Sequence, residues 1–235
     1  MIMKPTIIFL LACLLPPMAA RAASEDDPLL FKLMIDKFEW RAGDGPSSWA
    51  WDADAWVGKD LNKLWFKTEG DYANGATQAA YGEVLYSRGI APFWDLQVGV
   101  RQDFRPDPER DWFAVGFRGL APYWFDVDAT LYAGGNGTVS GRLNAEYELL
   151  FTQRLILSPE LEMNFYGKDD PARGIGSGIS NLDLGLRLRY EIRPEFAPYI
   201  GVNWEQKFGG TADYAREDGE STSDLQFVVG VRAWF

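Results

Sequence analysis

Trp94-Asp95-Leu96-Gln97-Val98-Gly99-Val100-Arg101-Gln102-Asp103-Phe104 is the stretch on which the reading of this chain turns. Trp94, Leu96, Val98, Val100 and Phe104 alternate with Asp95, Gln97, Gly99, Arg101 and Asp103. Successive side chains of a strand point to opposite faces, so a period of two predicts a strand with one apolar and one charged face. The same period recurs downstream. Leu143, Ala145, Tyr147 and Leu149 alternate with Arg142, Asn144, Glu146 and Glu148. Leu182, Leu184, Leu186, Leu188 and Tyr190 alternate with Asp183, Gly185, Arg187, Arg189 and Glu191.

Twelve segments of this kind are expected, near 30–41, 49–58, 62–70, 78–88, 93–104, 111–119, 123–133, 139–151, 155–166, 180–191, 198–208 and 224–235. Each is close to the roughly 9–11 residues with which a tilted strand crosses a bilayer. The first is irregular, because Lys32, Asp36 and Lys37 do not share a face. After Ser24 no apolar run reaches the roughly 18 residues of a membrane helix, and no clear helical period is present. The predicted fold is all-β: a transmembrane antiparallel up-and-down barrel of about twelve strands.

The connections support this. Those around Lys59-Asp60, Gly89–Pro92, Leu120-Ala121, Thr152–Arg154 and Arg193–Ala197 are short. The intervening ones are equal or longer, and Gly167–Ile179 and Gly209–Ser223 are the longest. Short turns at one end and long loops at the other are the asymmetry of an outer-membrane barrel, and an even strand number leaves both termini periplasmic. Aromatics near segment ends (Trp49, Trp51, Trp65, Phe93, Trp94, Trp112, Tyr123, Trp124, Tyr199) are expected in interfacial girdles. The chain ends Phe227, Val229, Val231, Ala233, Phe235, an apolar-alternating last strand with a terminal aromatic, as outer-membrane insertion signals have. A soluble sandwich or lipocalin-like barrel would also alternate, with its faces reversed.

Composition narrows the chemistry. The 235 residues are 47% hydrophobic and 24% charged, which excludes a disordered chain. A net charge of −11 argues against nucleic acid as a partner. There is no histidine, which removes Ser-His-Asp and Cys-His catalysis and the usual zinc hydrolase sites. We expect no enzyme. The single cysteine, Cys13, falls in a predicted secretory signal peptide over residues 1–22. This has Lys4 as n-region, Thr6–Leu15 as apolar core and Ala20-Arg21-Ala22 as cleavage site. Leu10-Leu11-Ala12-Cys13 is a poorer alternative, a loose lipobox. Residues 23–235 are then the barrel, of formal charge −13 after loss of Lys4 and Arg21.

A charge facing the bilayer midplane costs about 2–4 kcal/mol, so the charged faces must line the lumen. They bring Asp52, Asp54, Glu69, Glu83, Asp95, Asp103, Asp126, Asp128, Glu146, Glu148, Glu160, Glu162, Asp183, Glu191 and Glu205 inside, against Lys63, Lys67, Arg101, Arg118, Arg142, Arg187, Arg189, Lys207 and Arg232, so acids exceed bases. Two readings follow. The acids and bases zip the lumen together as cross-strand pairs. Alternatively Glu146, Glu148, Glu160 and Glu162, brought close by one turn, form a weak carboxylate site for a hard cation unless an arginine intervenes.

Tyr166-Gly167-Lys168-Asp169-Asp170-Pro171-Ala172-Arg173-Gly174-Ile175-Gly176-Ser177-Gly178 resembles the signature loop of the copper resistance protein B family. Ala91–Gln97, Gly119–Phe125 and Lys207–Asp213 are similar to the same family, and the resemblance runs from about Lys32 to Phe235. It implies an outer-membrane barrel in copper tolerance, with copper as its ion. Many members carry a Met/His-rich segment before the barrel; here only Ser24–Leu30 are expected between signal and first strand. The remaining methionines are Met34 and Met163. Cu(I) prefers sulfur and Cu(II) prefers imidazole with oxygen, so no high-affinity set is assembled. Lys168, Asp169, Asp170 and Arg173 are the polar groups of the signature loop, read either as functional or as a self-bonded loop shaping the barrel mouth. The expected functions are copper passage through an acidic lumen, a small cation-preferring pore, or an anchor in outer-membrane lipid for a periplasmic Met/His-rich copper-binding partner.

Overall fold

The computed structural model describes residues 28–235. The expected signal peptide lies outside them. Twelve antiparallel strands follow in order: β1 (Leu30–Ala42), β2 (Ser48–Gly58), β3 (Asn62–Ala73), β4 (Ala76–Ala91), β5 (Trp94–Arg105), β6 (Arg110–Ala121), β7 (Phe125–Gly134), β8 (Val139–Glu146), β9 (Leu155–Tyr166), β10 (Gly178–Tyr190), β11 (Phe196–Lys207) and β12 (Ser223–Trp234). Each pairs with its sequence neighbour, and β12 pairs with β1 from Met34↔Trp234 to Ala42↔Phe227, closing the barrel. Closure leaves no free sheet edge, the condition for strands to cross lipid.

The alternation sorts the two faces as expected. Phe66, Val84, Val100, Phe113, Val115, Phe117, Leu131, Ile200 and Val229 are exposed on the outer wall, where lipid would cover them. Charged residues of the same strands point inward. Three aromatics depart from the expected girdle. Trp65 and Trp112 are buried in the lumen against Leu85, Ala114 and Tyr132, and Tyr199 is buried against Glu39. Trp65 shares parity with Lys63, Lys67 and Glu69, so its inward direction follows from the register. Phe93, Tyr123 and Trp124 do stand exposed at the short-turn rim.

Two irregularities have local causes. In β1 the register shifts between Ile35 and Lys37 on one side and between Ile35 and Phe38 on the other. Asp36 is the extra residue of a β-bulge, and the bulge turns Asp36 and Lys37 both inward. This resolves the mixed parity of the first segment. The eighth segment, expected to run to 151, ends at Glu146; only Leu149–Leu150 pair again, with Leu157 and Ile156. Tyr147 N–H donates to Pro159 O at 3.0 Å. Proline has no N–H to return the bond, so the ladder opens there.

The ends differ as expected in the two longest loops, though not in every connection. The third is only Asn74-Gly75, with φ of 53° and 79°, the left-handed pair of a tight hairpin turn. The last long loop holds a helix, α1 (Gly209–Glu217), that alternation did not foretell. It buries Thr211, Ala212 and Ala215 against the β9–β10 loop. Thr211 Oγ1 accepts from Gly176 N–H and meets Ser180 Oγ, both at 2.9 Å. A Cβ on Gly176 would fall 2.5 Å from Gly210, so glycine is required at this crossing.

Candidate functional site

Among the described residues, two chambers of the lumen are stacked along the axis. The one nearer the short turns is about 130 Å³ and is lined by Asp36, Asp52, Asp54, Glu69, Glu83, Asp126, Asp128, Glu146 and Glu160 against Lys67, Arg118, Arg142 and Arg232. The one nearer the long loops is about 300 Å³, with Asp52, Glu69, Asp71, Glu160, Glu162, Asp183 and Glu205 against Lys37, Arg41, Arg101 and Arg142. Acids outnumber bases in both. Asp52, Glu69, Tyr81, Arg142 and Glu160 line both chambers and form the septum between them. There Arg142 bonds Glu69 at 2.5 Å and Glu162 at 2.7 Å, and also meets the Tyr81 hydroxyl.

The four glutamates expected to cluster are instead divided among arginines and a lysine. Glu146 lies directly across from Glu160 in register, while Glu162 faces Asn144. Glu160 accepts from Lys37 at 2.5 Å, Arg187 at 2.9 Å and Asn144 at 2.9 Å. Glu148 sits in the break after β8 and pairs with Arg189 at 2.6 Å. Glu146 lies 3.5 Å from Arg232 and 3.8 Å from Arg189. Among the other candidates, Asp128 pairs with Lys67 at 2.7 Å. Asp95 accepts from Ser87 at 2.9 Å, with Lys63 at 3.7 Å. Asp103 accepts from Arg101 at 2.6 Å, Trp112 at 3.0 Å and Arg173 at 2.9 Å. Among the described residues Asp126 and Asp54 make no hydrogen bond and no ion pair within 4 Å, and the guanidinium of Arg118 is the base that faces both.

The signature loop bends over the long-loop mouth. Asp170 pairs with Arg110 at 3.0 Å, and Arg173 reaches into the lumen to Asp103. Asp169 accepts from Ser177 N–H at 2.6 Å, which holds its carboxyl below the usual carboxylate range. Lys168 lies beside Gly137 on the neighbouring loop.

Sequence parity missed Lys37, Glu39 and Arg41, because the Asp36 bulge hides their common face. Glu39 is fully buried and accepts from Arg187 at 2.8 and 2.9 Å, Tyr199 at 2.8 Å and Arg41 at 2.8 Å. Tyr81 was also missed, though it shares parity with Glu83. For copper the donor set is poor. Met34 lines the short-turn chamber, whereas Met163 pairs with Leu143 and Leu182 on the lipid face. Among the described residues no three of His, Cys, Asp or Glu converge to hold a metal. Among the described residues a soft Cu(I) site is therefore not built, and Cu(II) would meet carboxylate and amide oxygen.

A closed, charge-lined, lipid-walled antiparallel barrel defines an outer-membrane protein of the porin-like class. NanC porin is similar in structure, with TM-score 0.57 at 13% identity over 87% of this chain and 99% of that one. KdgM porin is similar at TM-score 0.51 and 12% identity, with the same coverage. At these identities the likeness concerns the fold. Sequence comparison is more specific. The profile of the copper resistance protein B precursor family matches residues 29–235. Copper resistance protein B of Escherichia coli is 46% identical over 213 residues, 91% of this chain and 72% of that protein. A copper resistance protein B homolog of Pseudomonas syringae pv. tomato is 48% identical over 202 residues, 86% of this chain and 69% of that protein. The chain belongs to the copper resistance protein B family and is a bacterial outer-membrane barrel.

Proposed function

We propose that the barrel handles copper as cargo, drawing the cation into its acidic lumen by electrostatic attraction and passing it between chambers without a high-affinity site. The observation that carries this reading is the excess of acids over bases in both chambers of a copper-resistance barrel. A negative lumen with low-dielectric walls concentrates cations. Asp126 and Asp54, which face Arg118 without a close pair, are the acids that meet the ion first. Asp95, Asp103, Asp128, Glu146, Glu148, Glu160 and Glu162 exchange their present partners for it in turn, so coordination stays weak. The test is ion entry into liposomes carrying the refolded protein, with copper, zinc, potassium and chloride compared. Copper entry exceeding chloride entry, and lowered several-fold by Asp54→Asn with Asp126→Asn, is the expected result. No flux of any ion would sink the reading.

A second reading is favoured by the ion pairs that cross the lumen and by the loop over its mouth. The barrel then serves as an anchor in outer-membrane lipid, and a periplasmic Met/His-rich protein docks on the short-turn rim and supplies the copper donors missing here. Co-purification of such a protein through the rim, lost on replacing Tyr123 and Trp124, would distinguish it.

A further inference from the structure

Past Glu146 the wall parts at its periplasmic end. The ladder between β7 and β8 stops at Asp126↔Glu146, and Leu149–Leu150 pair again on one side only, with Leu157 and Ile156 of β9. Two bonds fix the direction of the backbone here. Tyr147 N–H donates to Pro159 O and Phe151 N–H donates to Leu155 O, both at 3.0 Å. Successive N–H groups of an extended strand point to opposite sides, so those of Glu148 and Leu150 face away from β9, toward β7. Among the described residues neither finds a backbone acceptor there. Glu148, Leu149, Leu150 and Phe151 are all exposed. An unpaired strand edge of this kind is a template for another strand.

A cavity of about 530 Å³ keeps this edge uncovered. Leu120, Trp124 and Asp126 line it on the β7 side, and Tyr147, Leu149 and Leu150 on the β8 side. Tyr123, Trp124, Leu150 and Phe151 stand exposed around it, an apolar rim at the periplasmic end. Charge is the second property of the gap. Three acids of its lining, Asp126, Glu146 and Glu148, meet one base, Arg232. The bases nearby are shared with further acids: Arg232 also pairs with Asp36 at 2.8 Å, Arg189 lies 3.9 Å from Glu191 besides pairing with Glu148, and Arg118 faces Asp54 as well as Asp126. The surroundings of the edge are therefore negative.

We propose that the Glu148–Leu150 edge takes an extended strand of a periplasmic protein, added in the gap before β7, with basic side chains toward the lumen acids and apolar side chains toward the rim. Bonds to the Glu148 and Leu150 amides attach the strand, and its alternation of basic and apolar residues selects it, since successive side chains of a strand meet opposite faces. The inference deepens the anchor reading, on which it rests for a periplasmic partner. It names the mode of docking, strand addition at an open edge, and the chemistry of the docked segment, which needs no copper donor of its own.

The experiment is fluorescence anisotropy of a dye-labelled synthetic heptapeptide that alternates lysine with valine, titrated with the refolded full barrel in detergent, folding being checked by heat-modifiable gel mobility. Expected is saturable binding. Affinity should fall at least tenfold for the same peptide methylated on its backbone nitrogens, which keeps its side chains and charge but not its pairing, and for a peptide with glutamate in place of lysine. It should fall as much in Leu150→Pro, which removes the N–H facing β7 and leaves the Phe151–Leu155 bond in place. Binding should be unchanged in Asp213→Asn, whose carboxylate is exposed on α1 and pairs with Arg216. Absence of saturable binding, or equal affinity for the methylated peptide, the glutamate peptide or the Leu150→Pro barrel, overturns the proposal. If Leu150→Pro does not fold, the methylated peptide on the parent barrel decides it alone. Co-purification of a periplasmic Met/His-rich protein is read separately, so failure of the edge and failure of the anchor reading are distinguishable.

Discussion

Glu39 illustrates how a charge is made tolerable inside a narrow barrel. It has no exposed surface, and four donor contacts from Arg187, Tyr199 and Arg41 satisfy it. The space for Tyr199 exists because residue 230 is glycine; a Cβ there would lie 2.6 Å from the Tyr199 hydroxyl and 2.7 Å from Glu39 Cβ. Arg187 is itself buried and shared with Glu160. Removing one partner of a buried pair leaves the other uncompensated, at a cost of about 3–5 kcal/mol. Glu39→Ala should therefore destabilise the folded barrel by about that amount, read as a lower urea midpoint for loss of heat-modifiable mobility. Glu39→Gln, which keeps an acceptor, should cost less.

At the scale of elements, two residues redirect whole strands. The Asp36 bulge adds one residue to β1, so that Asp36 and Lys37 together face Arg232, and Asp36 meets Arg232 at 2.8 Å. Pro159 removes one ladder donor and stops β8 at Glu146, which frees Glu148 to turn toward Arg189. The β9–β10 loop is held by two ion pairs at different depths, Asp170–Arg110 at the rim and Arg173–Asp103 within the lumen. The inner pair is almost fully buried, at 5% and 3% side-chain exposure, so breaking it by removing one partner costs more than breaking the rim pair. Arg173→Ala should loosen the loop, seen as faster protease cleavage between residues 167 and 178 in the intact barrel. Asp170→Asn should give a smaller effect, and one that high salt mimics in the parent protein.

At the scale of the molecule, the septum governs whether two chambers act as one path. Arg142 is its central group, reaching from β8 across the lumen to Glu69 and Tyr81 while holding Glu162 on β9. Arg142→Ala should join the chambers and leave two acids without their base. Planar-bilayer conductance should rise several-fold with stronger preference for cations over chloride. Unchanged conductance would mean that the closure lies at the loop over the mouth, and the Arg173→Ala variant would then be the one that opens the path.

The alternation at Trp94–Phe104 and its repeats determined the strand count, the lipid face and most inward charges, because a period of two assigns each side chain to a face once the strand is known. It did not by itself separate the aromatics: Trp65 and Trp112 were expected in the girdle from their position near strand ends, although Trp65 shares parity with Lys63, Lys67 and Glu69 and Trp112 with Arg110 and Arg118, and the barrel buries both. What parity does not carry is axial height and partner. Glu146 and Glu160 face each other as the turn implied, yet which arginine each acid meets depends on barrel closure, which sets β1 beside β12 and brings Lys37, Glu39 and Arg187 together from opposite ends of the chain. The bulge at Asp36 and the seating of Arg173 on Asp103 are likewise products of closure. Local sequence chooses the face of each side chain; only the closed barrel decides what lies across the lumen from it.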